Sequence, residues 1–305
     1  MNTRNLRFRS NRVHDIISLY HEELDGMYGR GEVSVFCEML FEAFLGWDKV
    51  RLLTSKEETI DQSDLLRFHW ALEDLKQYRP IQHIIGYTDF CGCRIAVSPD
   101  VLIPRPETEE LVQWIISTFN IQHSTFNILD LCTGSGCIAI ALKKAFPQAE
   151  VTAVDISDKA LSVARQNAQN NGVEVRFMEG NVLSADFNFQ LSGVPSARPT
   201  TFNLIVSNPP YVMEKERAQM AANVLDYDPA LALFVPDDDP LRFYHAIADI
   251  ARRQLAKEGM LLVEINEALA DETCTVLSHR GLCPTVHTDF RGKPRWIAAT
   301  LNHNL

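Results

Sequence analysis

The sequence has no apolar run near the roughly 18–20 residues that a membrane span requires. It has no excess of positive charge: 29 Lys and Arg stand against 40 Asp and Glu, for a net charge of −11 at pH 7. Broad electrostatic binding to nucleic acid needs a basic face, so a nucleic-acid substrate is not expected. Metal-type cysteine spacing is missing too. The seven cysteines (37, 91, 93, 132, 137, 274 and 283) are odd in number. The Cys91–Cys93 pair falls short of the four ligands of a closed zinc site. They read as reduced thiols packed as small hydrophobes, in a cytoplasmic protein. No internal repeat is visible, and no phosphate loop of the form G-x-x-x-x-G-K-[ST] occurs. The opening MNTRNLRFRSNR carries four arginines and no acid. Without a cleavage signal it reads as a solvated basic tail rather than a transit peptide.

What is present suits a soluble globular protein with a sizeable core. The 305 residues are 46% hydrophobic and 23% charged, enough for one large or two ordinary domains. Helical spacing of apolar residues covers 13–24, 33–46 and 61–78, with a short helix expected around 48–54 and Ser63 as a cap. RPIQHIIG (79–86) breaks that pattern. Residues 88–99 alternate as a hairpin turning at Gly92. Prolines in VLIPRPETEELVQWIIST (101–118) fix the approach to a helix opened by Glu107, Thr108 and Glu109.

From residue 126 strands and helices alternate. Strands are expected over 126–131, 149–157, 173–181, 202–208 and 260–266. Helices are expected over 136–147, 158–172, 241–259 and 268–281, and an antiparallel hairpin closes the chain over 284–301. Such alternation means a parallel sheet covered on both faces. The inserts at 183–201 and 213–240 read as loops.

The first strand of this series ends in D-L-C-T-G-S-G-C. Gly134, Gly136 and Ala139 meet the relaxed dinucleotide fingerprint, and Asp155 follows Gly136 by 19 residues, where an acid accepts ribose hydroxyls. Glycine spacing alone leaves NAD open. Asp130, just before the turn, would repel a pyrophosphate and suit a cationic ligand. S-adenosylmethionine has a ribose, an amino group and a sulfonium but no phosphate, and fits better. Glu179-Gly180-Asn181 could hold an adenine through a side chain and a backbone amide. The fourth strand runs into Asn208-Pro209-Pro210-Tyr211, a rigid outward loop, because proline fixes its own φ and cannot join a ladder.

ILDLCTGSGC (128–137), AVDIS (153–157) and NLIVSNPPYV (203–212) resemble class I S-adenosylmethionine-dependent methyltransferases. VLIPRPETEELV (101–112) narrows the resemblance to the HemK/PrmC family, the peptide chain release factor glutamine N(5)-methyltransferases. It extends over nearly the whole chain. It implies a Rossmann-like α/β fold with a seven-stranded sheet, preceded by a small helical bundle and a linking β-hairpin. The expected domains are a helical substrate-binding domain over 1–80, a linker with the hairpin over 81–100 and a catalytic domain over 101–305. It implies cofactor contacts from Asp130, Cys132, Thr133, Gly134, Ser135, Gly136, Asp155, Ile156, Asn181, Val182 and Asn208. Substrate contacts are implied for Pro104, Arg105, Pro106, Glu107, Thr108, Asn208, Pro209, Pro210 and Tyr211. The NPPY residues are the implied catalytic set, with the Asn208 side-chain oxygen and the Pro209 carbonyl accepting the substrate NH₂ and Tyr211 stacking on it.

The implied substrate is the glutamine of a Gly-Gly-Gln tripeptide in class 1 release factors, met transiently by a monomer. No metal is implied. A plainer account makes Arg105 and Glu107 a surface ion pair. Two departures stand out: Cys132 occupies a position that is usually glycine, and Asn181 one that is usually aspartate. The rival readings are an adenine amino methyltransferase, a methyltransferase for a ribosomal-protein glutamine, whose pattern lacks P-E-T-E after P-R, and a binding protein without activity.

Overall fold

Apolar residues at helical spacing bury one face of each N-terminal helix. In α1 (Val13–Tyr28) these are Val13, Ile16, Tyr20 and Leu24. Gly29, at φ +82°, separates α1 from α2 (Arg30–Leu45), and left-handed Gly46 ends α2. Asp48 caps α3 (Lys49–Thr54) by accepting the Arg51 amide at 2.7 Å. α4 (Gln62–Lys76) starts two residues earlier than a Ser63 cap would allow, with Asp61 at the N-cap. RPIQHIIG interrupts the helices only at Arg79 and Pro80, and a short helix not expected from the sequence follows. Residues Ile81–Ile85 form a short helix, α5, that Gly86 stops in the left-handed region. Tyr20, Phe41, Phe68 and Leu72 fill the core of these helices. Each such side chain contributes about 1.5–3 kcal/mol of burial.

This computed structural model describes residues 8–119, 126–184, 187 and 201–302. The first residues of the basic tail and most of the 183–201 insert lie outside the described residues. The chain divides into two units, Met1–Gly86 and Tyr87–Leu305. Among the described residues no helix is long and apolar enough to cross a membrane.

The second unit opens with the hairpin β1 (Tyr87–Phe90) and β2 (Cys93–Ala96), joined through Cys91 and Gly92. Both turn residues have positive φ, +47° and +72°, the torsions that match the twist of a tight hairpin. After α6 (Pro106–Thr118) come β3 (Asn127–Leu131), α7 (Cys137–Ala145), β4 (Glu150–Asp155), α8 (Asp158–Asn170), β5 (Arg176–Glu179) and β6 (Phe202–Ser207). The chain continues through β7 (Val212–Met213), α9 (Ala222–Tyr227), α10 (Ala230–Leu233), β8 (Phe234–Val235), α11 (Arg242–Gln254), β9 (Leu255–Glu264), α12 (Ala270–His279), β10 (Leu282–Thr288) and β11 (Pro294–Leu301). Seven strands form one sheet in the order β10-β11-β9-β6-β3-β4-β5. β5, β4, β3, β6 and β9 are parallel, and β11 runs antiparallel to both of its neighbours.

Successive strand residues face opposite layers. Ile128, Leu204 and Leu262 pack with α6 and α7, while Leu129, Ile205 and Leu261 pack with α11 and α12. Both faces are therefore buried, which is why the strands read as continuous apolar runs.

Two expectations are corrected here. Residues 255–259 continue β9 rather than α11, because Leu255 is buried and pairs with Phe202. A Cβ on Gly259 would stand 2.9 Å from the Phe202 carbonyl, so the glycine permits this approach. The 213–240 insert is ordered structure, not loop. β7 and β8 pair in parallel, and a 3-10 helix (Glu214–Gln219), α9 and α10 fill the segment between them.

Asn167 on α8 is wholly buried. Its Nδ2 donates to the Ala96 and Ser135 carbonyls, both at 3.0 Å, and its Oδ1 accepts the Ala96 amide at 2.8 Å. It thereby ties the hairpin to the glycine-rich turn. We expect Asn167→Ala, which strands these groups, to cost about 2–3 kcal/mol, read as a lowered Tm. An unchanged Tm would show that water replaces the amide.

Candidate active site

Immediately after β3 the backbone turns through Cys132, Gly134 and Gly136 at φ +59°, +55° and +80°. At Gly136 a Cβ would lie 3.0 Å from Ala164 Cβ and 3.1 Å from Ile140 Cδ1. Glycine is needed there for the torsion and for the close packing of α7 on α8. Cys132 takes the same left-handed region without glycine's freedom, at a cost of about 1–2 kcal/mol. Three of the turn's own amides are engaged. Gly134 donates to Asp155 Oδ2 at 2.8 Å, Gly136 to the Thr133 carbonyl at 2.9 Å and Thr133 to the Val154 carbonyl at 3.0 Å. A pyrophosphate, which NAD would bring, needs such donors free.

Two carboxylates flank this turn in different surroundings. Asp130 is fully buried. Burial pushes its carboxyl up to about 7, against the Thr133 hydroxyl, which donates to Oδ2 at 2.5 Å, and the Ala139 amide. Its Oδ1 has no hydrogen bond. Asp155, at the end of β4, accepts one amide on each oxygen, Gly134 at 2.8 Å and Ser157 at 2.9 Å. Burial raises its pKa, and the amides of Ser157, Gly134 and Ile156 oppose that. A carboxylate can accept about four hydrogen bonds, so these amides leave it capacity to accept from a diol.

The NPPY loop follows β6. Asn208 Nδ2 donates to Thr108 Oγ1 at 3.1 Å. Thr108, in the first turn of α6, donates in turn to Glu264 Oε2 at 2.7 Å, and the Tyr211 hydroxyl donates to Glu264 Oε1 at 2.8 Å. Glu264 is buried at the end of β9. Arg105 does not pair with Glu107. Its guanidinium binds Asp228 Oδ2 at 2.5 Å, and Asp228 Oδ1 accepts the Ile103 amide at 3.3 Å. This buried acid at the end of α9 thus holds the 213–240 insert against the proline-rich approach to α6.

These elements line a cleft of about 300 Å³, within the range of small-molecule sites. The cleft brings together Pro104, Arg105, Thr108, Cys132, Thr133, Gly134, Ser135, Asp155, Ile156, Asn181, Val182, Asn208 and Pro210. Asp130, Pro106, Glu107, Gly136, Pro209 and Tyr211 are not among the lining residues. Asp130 meets the lining through Thr133, and Tyr211 is anchored through Glu264. Pro229, Leu231 and Ala232 of the insert complete one wall.

Comparison with known proteins shows which family the chain belongs to. The chain is 42% identical over 281 residues to the release factor glutamine methyltransferase of Flavobacterium psychrophilum, covering 90% of this chain and 94% of that one. It is 40% identical over 285 residues to the Bacteroides thetaiotaomicron enzyme of the same name, covering 93% and 98%. The chain belongs to the release factor glutamine methyltransferase family. Residues 29–86 match the PrmC N-terminal domain and residues 111–228 the methyltransferase small domain. Among solved structures, the release factor-specific protein-(glutamine-N5) methyltransferase of Alicyclobacillus acidocaldarius is 28% identical, with a TM-score of 0.39 over 67% of this chain and 96% of that one.

Cys132 and Asn181, the two positions expected from sequence to differ from the release factor glutamine methyltransferase family pattern, both line the cleft. Cys132 keeps the left-handed turn that glycine takes more cheaply. Asn181 Oδ1 accepts the Leu183 amide at 3.0 Å, so the side chain already stabilises its own turn and keeps its NH₂ and one lone pair. Gly180, beside it, has no room for a Cβ, which would sit 2.7 Å from the Phe187 ring. Sequence reading missed Asp228 and Glu264, and with them the reason that Thr108 stands where it does. An acid inside the apolar run MLLVEIN was the one available signal, since a lone charge in a buried strand needs a partner.

Asp130 holds its proton more tightly folded than unfolded. Its contribution to stability therefore declines as pH rises from the ordinary carboxylate range through about 7. We expect the Tm of the wild type, relative to Asp130→Asn, to fall between about pH 5 and about pH 8. A relative Tm that rises over that range would contradict this environment for Asp130.

Proposed function

We propose that this protein transfers a methyl group from S-adenosylmethionine to the side-chain amide nitrogen of the glutamine in the Gly-Gly-Gln motif of class 1 peptide chain release factors. The observation that carries the reading is that a single cleft is lined both by the Asp155 and glycine-turn residues and by Asn208. A cofactor and an amino acceptor can therefore share it.

The residues fit S-adenosylmethionine. Asp155 keeps capacity to accept from ribose hydroxyls, and Ile156 is 47% exposed, an apolar surface for an adenine face. The internally bonded turn amides favour a ligand without phosphate. Asp130, buried behind Thr133 with no hydrogen bond on Oδ1, sets an acidic group beneath the turn rather than in the lining, where it favours a cationic over an anionic ligand. When bound, S-adenosylmethionine supplies an electrophilic methyl group on a sulfonium.

The chain's own residues do the rest. A carboxamide nitrogen is a poor nucleophile because its lone pair is delocalised into the carbonyl. Asn208 Oδ1 accepts one of its N–H groups and the Pro209 carbonyl the other, so the nitrogen is oriented and positive charge developing on it is stabilised. Proline at 209 and 210 keeps these acceptors from wandering. No strong base is needed before transfer, because the proton can leave afterwards. Arg105, held by Asp228, borders the pocket where the target loop enters. The two glycines beside the substrate glutamine let an extended loop reach into so narrow a cleft.

For the helical unit we propose a role in gripping the rest of the partner. Its exposed Trp70, Val50 and Leu53 support that role. The reaction belongs in the cytoplasm, where release factors act. The net charge of −11 weighs against a nucleic-acid substrate.

Incubation with labelled S-adenosylmethionine tests the reading, offering purified release factor, the same factor with Ala in place of the Gly-Gly-Gln glutamine, and unmethylated DNA. Label on the first alone is expected, whereas label on DNA alone would overturn the substrate. Asn208→Ala should lower kcat by about 10²-fold while cofactor binding persists. Full activity in that variant would refute the acceptor role. Asp155→Ala should instead weaken cofactor binding, measured by calorimetry as a raised Kd.

A further inference from the structure

We propose that Glu264 is a positioning residue which, through Thr108, decides which end of the Asn208 amide faces the cleft. The proposal rests on the glutamine-methylation reading and deepens it, by stating how the site comes to present an acceptor to a carboxamide NH₂.

The inference follows from counting protons. Glu264 Oε2 takes the Thr108 hydroxyl at 2.7 Å and Oε1 takes the Tyr211 hydroxyl at 2.8 Å. Each hydroxyl has one proton, and an ionised carboxylate only accepts. Both protons therefore point at Glu264. Burial, with the Glu107 charge, raises the Glu264 pKa, and the two hydroxyl bonds and the Arg295 cation oppose that rise. With its proton committed, Thr108 Oγ1 meets Asn208 only as an acceptor. The Asn208 atom 3.1 Å away must then be the amide nitrogen, Nδ2. The other end of the amide, the carbonyl Oδ1, is left for the cleft that Asn208 lines.

An asparagine amide is nearly symmetric in shape, so packing alone selects its orientation poorly. Hydrogen-bond polarity selects it here. If Thr108 turned its proton toward Asn208, the amide would rotate and present NH₂ to an incoming NH₂. Two donors would then meet, and the substrate nitrogen would lose its acceptor. Tyr211 contributes through the same acid: its bond to the second carboxylate oxygen leaves Oε2 to Thr108. The acid, the hydroxyl and the amide come from β9, α6 and the loop after β6. The arrangement exists only when the sheet is assembled.

Glu264→Gln tests this with little change in shape. The glutamine NH₂ can donate to Thr108 Oγ1, freeing the hydroxyl proton to turn toward Asn208. We expect kcat on the release factor to fall about 10²-fold, with the cofactor Kd and the KM for the release factor near wild type. Thr108→Val should lose a similar factor, and Thr108→Ser should recover most of it. The double variant Glu264→Gln/Thr108→Val should lose no more than the worse single variant, since both act on one amide. Losses that multiply in the double variant, or wild-type kcat in Glu264→Gln, would overturn the proposal. An NMR measurement reads the orientation without turnover. The Asn208 Nδ2 protons should show NOEs to the Thr108 methyl in the wild type and lose them in Glu264→Gln. Should the wild type fail to methylate release factor, the functional reading falls. The NOE still decides the orientation, and its absence in the wild type would sink the inference.

Discussion

A carboxylate taken out of water must be met by donors or give up its charge. The catalytic unit is organised around that constraint at one edge of its sheet. The parallel strands β3, β4 and β9 each end in or near an acid: Asp130, Asp155 and Glu264. β6, lying between β3 and β9, ends just before Asn208. In a doubly wound sheet the crevice beyond these strand ends is where ligands bind. Each acid answers the constraint differently. Asp130 has its pKa raised to about 7 and leans on Thr133. Asp155 is supported by backbone amides and faces the cleft. Glu264 gathers two hydroxyls from other segments. Three identical or near-identical functional groups thus have three roles, set by what surrounds them.

The irregular segments that carry chemistry are held by side chains reaching across the fold. Asn167 joins the hairpin to the glycine turn, Glu109 accepts the Cys91 amide at 2.7 Å, and Asp228 fastens both Ile103 and Arg105. Loops built this way have a defined shape without belonging to the sheet ladder. The left-handed Cys132 belongs to the same scheme: the turn around it is bonded at Thr133, Gly134 and Gly136, so the surroundings impose a torsion the residue itself disfavours.

Much of the fold was legible because its signals are local. Alternating apolar strands and amphipathic helices, the Cys91-Gly92 turn and the glycine-rich loop after β3 all appear where the residues indicate. The errors have local causes too. Ser63 and Asp61 are both N-cap residue types, and the helix starts from Asp61, two residues before Ser63. Residues 79–86 look like a break because of Pro80, yet proline is tolerated at a helix start. Residues 255–259 carry helix-forming Ala, Lys and Glu, and the pairing of Leu255 with Phe202 overrides that preference. The 213–240 insert is polar and proline-bearing, and it gains order from non-local contacts: the pairing of Val212 and Met213 with Phe234 and Val235, and the bonds of Asp228 to Ile103 and Arg105.

The sequence by itself determined the sheet architecture, the glycine-rich turn after β3 and the proline-fixed NPPY loop after β6. Those features are specified by residues adjacent in the chain, whose torsions and hydrogen-bonding capacity act over a few positions. Tertiary structure alone decided that Arg105 binds Asp228, that Asp130 sits behind Thr133 rather than in the lining, and that Thr108 stands between Asn208 and Glu264. Thr108 and Glu264 are 156 residues apart, and Arg105 and Asp228 are 123 apart. Nothing in the local pattern can choose between partners at such separations. The choice is made when the strands assemble and the buried polar groups, cut off from water, must find one another.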